Sequence, residues 1–215
     1  MTHDSEKNLS LFLQLLDDIY DKISPIAPLY NSAFEVLVFC IISLRTKDPV
    51  AYAAADRLFA VANTPKMIAK LSVHDVASLI YPAGFYRRKA EQIIAIAIDL
   101  VSKKQDQPPR TRNELLSYAG VGIKTANLTL SRGFNIPAIC VDIHVHRITN
   151  RMKLVQTSTP DETEIALQRI LPREYWIMIN PTLVYLGQHY CKAKTLCGIC
   201  PFLQNCPLMR IDKHR

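Results

Sequence analysis

A glycine-rich turn stands directly before a lysine near the middle of the chain, in the segment AGVGIKTA. Gly120 and Gly122 flank Val121, and glycine is the residue that enters turns with positive φ at low cost. If a helix begins at Ile123, the turn lines up backbone N–H groups at the positive end of that helix, with Lys124 on its first turn. The segment therefore predicts a site for an anion such as a phosphate. An ordinary helix connection with a solvent-exposed lysine is the alternative.

Asp142 begins a second polar segment, VDIHVHRITNR, which has helical character. An aspartate before such a run is a typical helix N-cap, because its carboxylate can accept hydrogen bonds from N–H groups of the first turn. A capping carboxylate is held rigidly, so this role is compatible with a further one in catalysis. His144 and His146 lie two residues apart and do not share a helix face, which argues against a metal pair.

Four cysteines lie close together near the C-terminus, with the spacing C-x5-C-x2-C-x5-C. They are Cys191, Cys197, Cys200 and Cys206. Four thiolates this close indicate a metal site. Structural zinc is one candidate, although zinc ligands usually arrive as two close pairs and only one such pair is present here. The other two cysteines, Cys40 and Cys140, lie in apolar runs and are predicted to be buried.

The composition favours a nucleic-acid partner. The 215 residues include 26 Lys and Arg against 19 Asp and Glu, a formal net charge of +7, as expected of a chain that binds a polyanion. No stretch is long and apolar enough to span a bilayer, and the polar N-terminus MTHDSEKN lacks the pattern of a secretory signal. We therefore expect no membrane partner, a cytosolic or nuclear protein, and cysteines that are reduced, buried or metal-bound rather than paired in disulfides.

Helical spacing of apolar residues runs through most of the chain, whereas no segment alternates convincingly between apolar and polar residues. Residues from about 7 to 23 form a predicted amphipathic helix that Pro25 and Pro28 end. The segment AFEVLVFCII, which Ser32 can cap, is apolar on nearly every side and is predicted to lie buried at the centre of a helical domain. The fold class is therefore predicted to be all-α.

The sequence GVGIKTA, followed by VDIHVHR and by four cysteines near the C-terminus, resembles the endonuclease III family of helix-hairpin-helix DNA glycosylases over nearly the whole chain. The resemblance implies two helical domains: a continuous one, 27–135, that contains the helix-hairpin-helix motif, and one formed by 1–26 plus 136–215. It implies a DNA-binding cleft between them, with Lys124 across from Asp142. It also implies that the four cysteines hold a [4Fe-4S] cluster, although the first spacing is one residue shorter than the family's. The cluster would fix the loop bearing Lys192 and Lys194 so that both face phosphates.

The same resemblance implies a bifunctional DNA glycosylase and AP lyase that removes oxidised pyrimidines from duplex DNA in base excision repair. Lys124 would be the nucleophile that attacks C1′ of the damaged nucleotide, forming a Schiff base from which β-elimination cuts the strand on the 3′ side. A lysine is nearly all ammonium at neutral pH, but a helix N-terminus in a partly desolvated cleft disfavours the charged form. Asp142 would stabilise the oxocarbenium-like sugar and help to deprotonate the attacking group.

Several further residues match family positions near DNA. A flipped nucleotide leaves a gap in the duplex. The positions that match the gap-filling residues are Arg45, where the family has glutamine, and Phe85, for which a core or cap role is the alternative. His144 matches a family histidine near the DNA. Hairpin contacts to DNA are predicted at Gly120, Val121, Gly122, Ile123 and Thr125.

Two alternatives remain open. Monofunctional mismatch glycosylases of the same fold carry serine or tyrosine in place of the hairpin lysine, whereas this chain has Lys124. A helix-hairpin-helix protein that only binds DNA would need neither Lys124 nor Asp142. The expected partner is double-stranded DNA containing damaged bases or abasic sites. We expect a monomer, located in the cytoplasm with the nucleoid if the source is a prokaryote and otherwise in the nucleus.

Overall fold

The computed structural model describes residues 3–24 and 29–207, and within these ranges every regular element is helical. The prediction of an all-α fold is therefore confirmed. In chain order the α-helices are α1 His3–Ile23, α2 Ala33–Ser43, α3 Asp48–Val61, α4 Pro65–Ile68, α5 Val73–Ile80, α6 Tyr86–Ser102, α7 Arg112–Leu116, α8 Ile123–Leu128, α9 Ile143–Arg151, α10 Pro160–Ile170 and α11 Ile179–His189. None of the helices in the described ranges combines the length and the apolar composition needed to cross a bilayer.

The chain divides into two compact units. One is Pro28–Ile136, which contains α2 to α8, and the other is Met1–Ala27 with Pro137–Arg215, which contains α1 and α9 to α11. The sequence predicts two domains, 27–135 and 1–26 plus 136–215. The first predicted boundary between them follows Ile26, which lies outside the described residues. Pro25 and Pro28, predicted to end the first helix, also lie outside them.

Helix α2 forms the centre of the unit Pro28–Ile136. All of its residues from Ala33 to Ile42 are buried, as its apolar composition predicts, and α3, α6 and α8 pack around it. Ser32 caps it, because the Ser32 hydroxyl oxygen accepts a hydrogen bond of 3.1 Å from the N–H three residues on. A π-helical turn, Thr129–Gly133, continues α8 and lies so close to α2 that a Cβ on Gly133 would be 2.8 Å from Ala33. This close packing fixes the helix that carries Lys124 against the centre of its unit.

Helix α1 supplies one wall of the core in the unit Met1–Ala27 with Pro137–Arg215. Its buried side is formed by Phe12, Leu15, Leu16 and Ile19, each at most 1% exposed. These side chains belong to the same apolar cluster as residues of α9 and α11, and α1 and α11 are in contact. The period of the apolar residues predicts this helix correctly, although it begins at His3 rather than near residue 7.

Candidate active site and cysteine cavity

The predicted helix-hairpin-helix motif is formed by α7, a turn over 117–122, and α8. Gly120 has a φ of +82°, and a Cβ there would lie 2.3 Å from the side-chain nitrogen of Gln92 on α6. Glycine is therefore required at 120 by the backbone and by the close approach. Gly122 has a φ of −96°, and a Cβ there would meet no described atom within 4 Å. The prediction that the turn itself needs both glycines is wrong for Gly122, because any residue adopts that backbone.

Lys124 stands on the first turn of α8, and its side chain is exposed. Its charge acts on Cys40 of α2: burial raises the pKa of the Cys40 thiol to about 12, and the Lys124 charge acts in the opposite direction. The predicted burial of Cys40 is confirmed, and Lys124 lies near the central helix of its unit. The partly desolvated cleft predicted around Lys124 involves both units and stays a prediction.

Two hairpin residues predicted to contact DNA have buried side chains. Val121 is 6% exposed and Thr125 is 2% exposed, whereas Ile123 between them is half-buried. The carbonyl of Thr125 accepts a hydrogen bond of 2.8 Å from the Thr129 hydroxyl. Val121 and Thr125 therefore offer little surface to a ligand, and the hairpin contacts with DNA stay a prediction.

Asp142 is the N-cap of α9, as its position predicts. Its Oδ1 accepts hydrogen bonds from the backbone N–H groups of His144 at 2.9 Å and of Val145 at 2.8 Å. Neither bond uses Oδ2, so the cap fixes the carboxylate without using both of its oxygens. Lys124 and Asp142 belong to different units, and their predicted pairing stays a prediction.

His144 lies in the first turn of α9, next to Asp142, and packs against Gly187 of α11. A Cβ on Gly187 would lie 2.2 Å from His144 Nδ1, so the imidazole fits there only because residue 187 has no side chain. Arg147 Nη2 lies 3.0 Å from the same Nδ1. A guanidinium has only donors, so Nδ1 is the acceptor and the proton of the neutral ring lies on Nε2.

The four clustered cysteines line one cavity, whose other walls are apolar and aromatic side chains. Cys191 follows α11, and short 3-10 turns, Cys197–Ile199 and Leu203–Asn205, precede Cys200 and Cys206. Burial raises the pKa of the Cys200 thiol, and the nearby Cys197 and Cys191 add to this effect. The structure therefore brings together the four residues that the sequence predicts as metal ligands.

The donor set of this cavity consists of four sulfur atoms. Across residues 3–24 and 29–207, no group of three or more His, Cys, Asp or Glu side chains is arranged to hold a single metal ion. Four sulfur atoms lining one cavity are the donors by which proteins hold iron-sulfur clusters. The residues present therefore fit an iron-sulfur cluster.

Two arginines of α9 hold the segment that begins at Cys191, and sequence reasoning missed both. Arg147 donates a hydrogen bond of 2.9 Å to the Cys191 carbonyl. Arg151 donates to the Cys191 sulfur at 3.2 Å and to the carbonyls of Lys192 at 2.8 Å and Ala193 at 3.1 Å. Their spacing of four residues places both on one helix face, which is the only sequence signal that could have singled them out. Lys192 and Lys194 are exposed on the segment so held.

Arg45 and Phe85, the residues predicted to fill the gap in DNA, lie together. The guanidinium carbon of Arg45 is 5.7 Å from the centroid of the Phe85 ring, and the ring is part of a side chain that is 64% exposed. Both residues have positive φ, +50° for Arg45 and +57° for Phe85, which residues with a Cβ rarely adopt. Phe85 occupies the N-cap position of α6, as one alternative predicts, but its large exposed fraction excludes a role in the core.

The chain is similar to base excision repair proteins. Residues 38–173 match the family described as the HhH-GPD superfamily base excision DNA repair protein. Endonuclease III of Thermotoga maritima is 43% identical over 178 residues, which are 82% of this chain and 84% of that protein. The chloroplastic endonuclease III homolog 2 of Arabidopsis thaliana is 39% identical over 197 residues, which are 87% of this chain but 51% of that longer protein.

A solved structure of a trapped endonuclease III-DNA covalent intermediate, an estranged-adenine complex, has the same fold. Its protein is 28% identical, and the match covers 98% of this chain and 100% of that one with a TM-score of 0.81. The region matched to the family includes the hairpin, Lys124 and Asp142. The chain therefore belongs to the endonuclease III family within the HhH-GPD superfamily of base excision DNA repair proteins.

Proposed function

We propose that this chain removes oxidised pyrimidines from duplex DNA and then cuts the strand at the abasic site. The enzyme class, DNA glycosylase and AP lyase, is that of the endonuclease III family, and the partner is double-stranded DNA with damaged bases. The observation that carries the lyase activity is Lys124, an exposed amine on the first turn after the hairpin. Mismatch glycosylases that resemble this chain carry serine or tyrosine there and cannot form an imine.

Lys124 acts as the nucleophile. Its Nζ attacks C1′ as the bond from C1′ to the damaged base breaks, and the base leaves with the electron pair and takes up a proton. Opening of the C1′–O4′ bond then leaves an imine between Nζ and C1′. Loss of a proton from C2′ and departure of the 3′ phosphate complete the β-elimination, and water hydrolyses the imine to return the amine. A duplex lying over the exposed Lys124 would supply the desolvation that favours the neutral amine.

Asp142 stabilises the positive charge that develops on the sugar. Its Oδ1 is anchored by two backbone N–H groups, so the carboxylate keeps its position when the charge appears. A negative group that needs no reorganisation during the reaction is an effective electrostatic catalyst. The helix cap and the catalytic role are therefore two uses of one fixed side chain.

We infer that the four cysteines lining the cavity hold a [4Fe-4S] cluster, whose contribution is to fix the C-terminal loop rather than to react. Arg151 stabilises the thiolate of Cys191 by donating to its sulfur, and it also holds the backbone from which Lys192 and Lys194 project. Both lysines bind phosphates in the proposed complex, and His144 lies near the DNA. As a monomer acting on genomic DNA, the protein works in the cytoplasm of a prokaryote or in the nucleus.

Reductive trapping tests the proposal. Borohydride should link the wild-type protein covalently to abasic duplex DNA, because it reduces the imine that only an amine nucleophile can form. Lys124→Gln should bind the same DNA but neither become linked nor nick it, whereas Lys70→Gln, which changes an exposed lysine on the same unit, should behave as wild type. A chain that excises the base without trapping would be a monofunctional glycosylase, and one that does neither would only bind DNA.

A further inference from the structure

Lys89 is a buried lysine on α6, with 4% of its surface exposed. Its Nζ lies 2.7 Å from the carbonyl oxygen of Ile42, 2.5 Å from that of Leu44 and 2.9 Å from the hydroxyl oxygen of Thr46. An ammonium group has three N–H donors and no acceptor, so each of its protons is donated to one of these oxygens. Burial lowers the pKa of Lys89 to about 8, which still leaves the ammonium form in the majority at neutral pH.

The three acceptors belong to the segment that leaves α2. Ile42 is in the last turn of that helix and Leu44 is its C-cap residue. The last carbonyls of a helix have no partner within it, and they lie at its negative end, so an ammonium there satisfies both the hydrogen bonds and the charge. Arg45 stands between Leu44 and Thr46, so Lys89 holds the residues on both sides of Arg45.

Phe85 precedes Lys89 by one helical turn on α6, and its carbonyl accepts the Lys89 backbone N–H at 3.1 Å. The segment before Phe85 is also joined to the Arg45 segment. The N–H of Gly84 donates to the Thr46 hydroxyl oxygen at 3.1 Å, and a Cβ on Gly84 would lie 2.6 Å from the Arg45 carbonyl oxygen. The backbones that carry Arg45 and Phe85 therefore touch, and the ammonium of Lys89 ties them together.

We propose that Lys89 is a positioning residue for base excision, which ties the Arg45 segment to α6 so that Arg45 and Phe85 enter the gap in the duplex as one preformed wedge. The proposal rests on the proposed function, in which these two side chains replace the extruded nucleotide. Both residues hold positive φ, a conformation that persists only where surrounding contacts impose it. An uncharged side chain at 89 could not satisfy three acceptors, so the Arg45 segment would relax toward an unstrained backbone.

Lys89→Met is the direct test, with Lys70→Met as the matched control because it removes the same charge from an exposed position of the same unit. The rate at which a damaged base is excised from a duplex should fall by about 10- to 100-fold in Lys89→Met. This is the scale of the rate loss when a group away from the reacting atoms is misplaced. Cleavage of a ready-made abasic site, which needs less help to leave the stack, should change much less. Equal losses on the two substrates would mean a general structural role and would overturn the proposal.

A double-mutant cycle shows whether Lys89 acts through Arg45. If it does, adding Lys89→Met to Arg45→Ala should lower excision by less than about twofold beyond Arg45→Ala alone, because the side chain to be positioned is already absent. Losses that multiply would mean that the two residues act independently, and this outcome would also overturn the proposal. A fluorescent base opposite an abasic analogue should report reduced gap filling in Lys89→Met but not in Lys70→Met.

If Lys89→Met does not fold, Thr46→Val provides a second test of the proposal. It keeps the side-chain shape but removes the oxygen that accepts from both Lys89 and Gly84, so a smaller loss confined to excision is expected. Undiminished excision by Thr46→Val together with unchanged gap filling would contradict the proposal. Reductive trapping of the wild-type protein on abasic DNA depends on Lys124 alone, so a failure there would refute the proposed function and not the role of Lys89.

Discussion

Arg151 donates a hydrogen bond to the sulfur of Cys191 across 3.2 Å. The same guanidinium donates to the carbonyls of Lys192 and Ala193, so one side chain of α9 holds both a proposed cluster ligand and the basic segment after it. The N-cap of that helix is Asp142. The cysteine loop is therefore tied to the helix whose first turn fixes the carboxylate that we propose to be catalytic.

Removal of Arg151 should weaken cluster retention. The wild-type protein should purify with iron and inorganic sulfide. Arg151→Met should lose both faster in air, because the Cys191 thiolate loses a charged donor and the loop loses two backbone contacts. Arg169→Met, an exposed arginine of the same unit, is the control. Colourless wild-type protein holding one tightly bound zinc would contradict the cluster assignment.

Lys192 and Lys194 should contribute to docking rather than to chemistry. Replacing both with alanine should weaken binding to damaged and undamaged duplex alike. It should also reduce the slope of log binding constant against log salt by about 1 to 2, since each phosphate contact contributes about 0.9. The measurement is a salt titration of binding with both duplexes. If the slope does not change, these lysines face solvent in the complex.

The two hairpin glycines should respond differently to alanine. Gly120→Ala should lower the free energy of unfolding by about 1 to 2 kcal/mol or more, because its φ is +82° and the new Cβ would meet Gln92. Gly122→Ala should change stability by less than about 0.5 kcal/mol, because the position is open, but should weaken DNA binding several-fold where the turn approaches a phosphate. Thermal unfolding and duplex titration separate the two effects. Normal binding by a folded Gly122→Ala would remove the turn from the DNA interface.

Local sequence signals predicted the parts of this structure that depend on local interactions. The apolar run of α2 predicted a buried central helix, and the position of Asp142 predicted a cap, because periodicity and capping act within a few residues. The site of Lys89 could not be predicted in this way. A lysine in a helix is usually exposed. The burial of Lys89 depends on two carbonyls at the end of α2, those of Ile42 and of the C-cap residue Leu44, more than forty residues away. Arg45 and Phe85 were found by resemblance, and their contact is visible only in three dimensions.

The buried Lys89 should give stability a distinctive pH dependence. Its pKa is lowered by burial from 10.5 to about 8, so between these values the unfolded chain binds more protons than the folded one. The free energy of unfolding should therefore rise, relative to that of Lys89→Met, as pH increases from about 8 to 10.5, by at most about 3 kcal/mol. Denaturant unfolding of both proteins at several pH values measures the difference. Parallel curves would show that the lysine is solvated in the folded protein.

Two substitutions of Asp142 separate its cap from its charge. Asparagine keeps an oxygen that can accept from the N–H groups of His144 and Val145, so Asp142→Asn should retain stability. Asp142→Asn lacks the negative charge, so its rate of base excision should fall by about 100-fold or more. This is the scale of the effect when one preorganised electrostatic group is lost. Its binding to damaged duplex should persist or tighten, since a carboxylate near phosphates costs affinity.

Asp142→Ala should show the same loss of excision as Asp142→Asn, together with a lower free energy of unfolding, by about 0.5 to 2 kcal/mol, because α9 loses its cap. Single-turnover excision and denaturant unfolding, measured on both variants, give the two quantities independently. Wild-type excision by Asp142→Asn with a defect only in Asp142→Ala would assign the residue to capping alone. The positive charge on the sugar would then need another stabilising group, and the pairing of Asp142 with Lys124 would have to be abandoned.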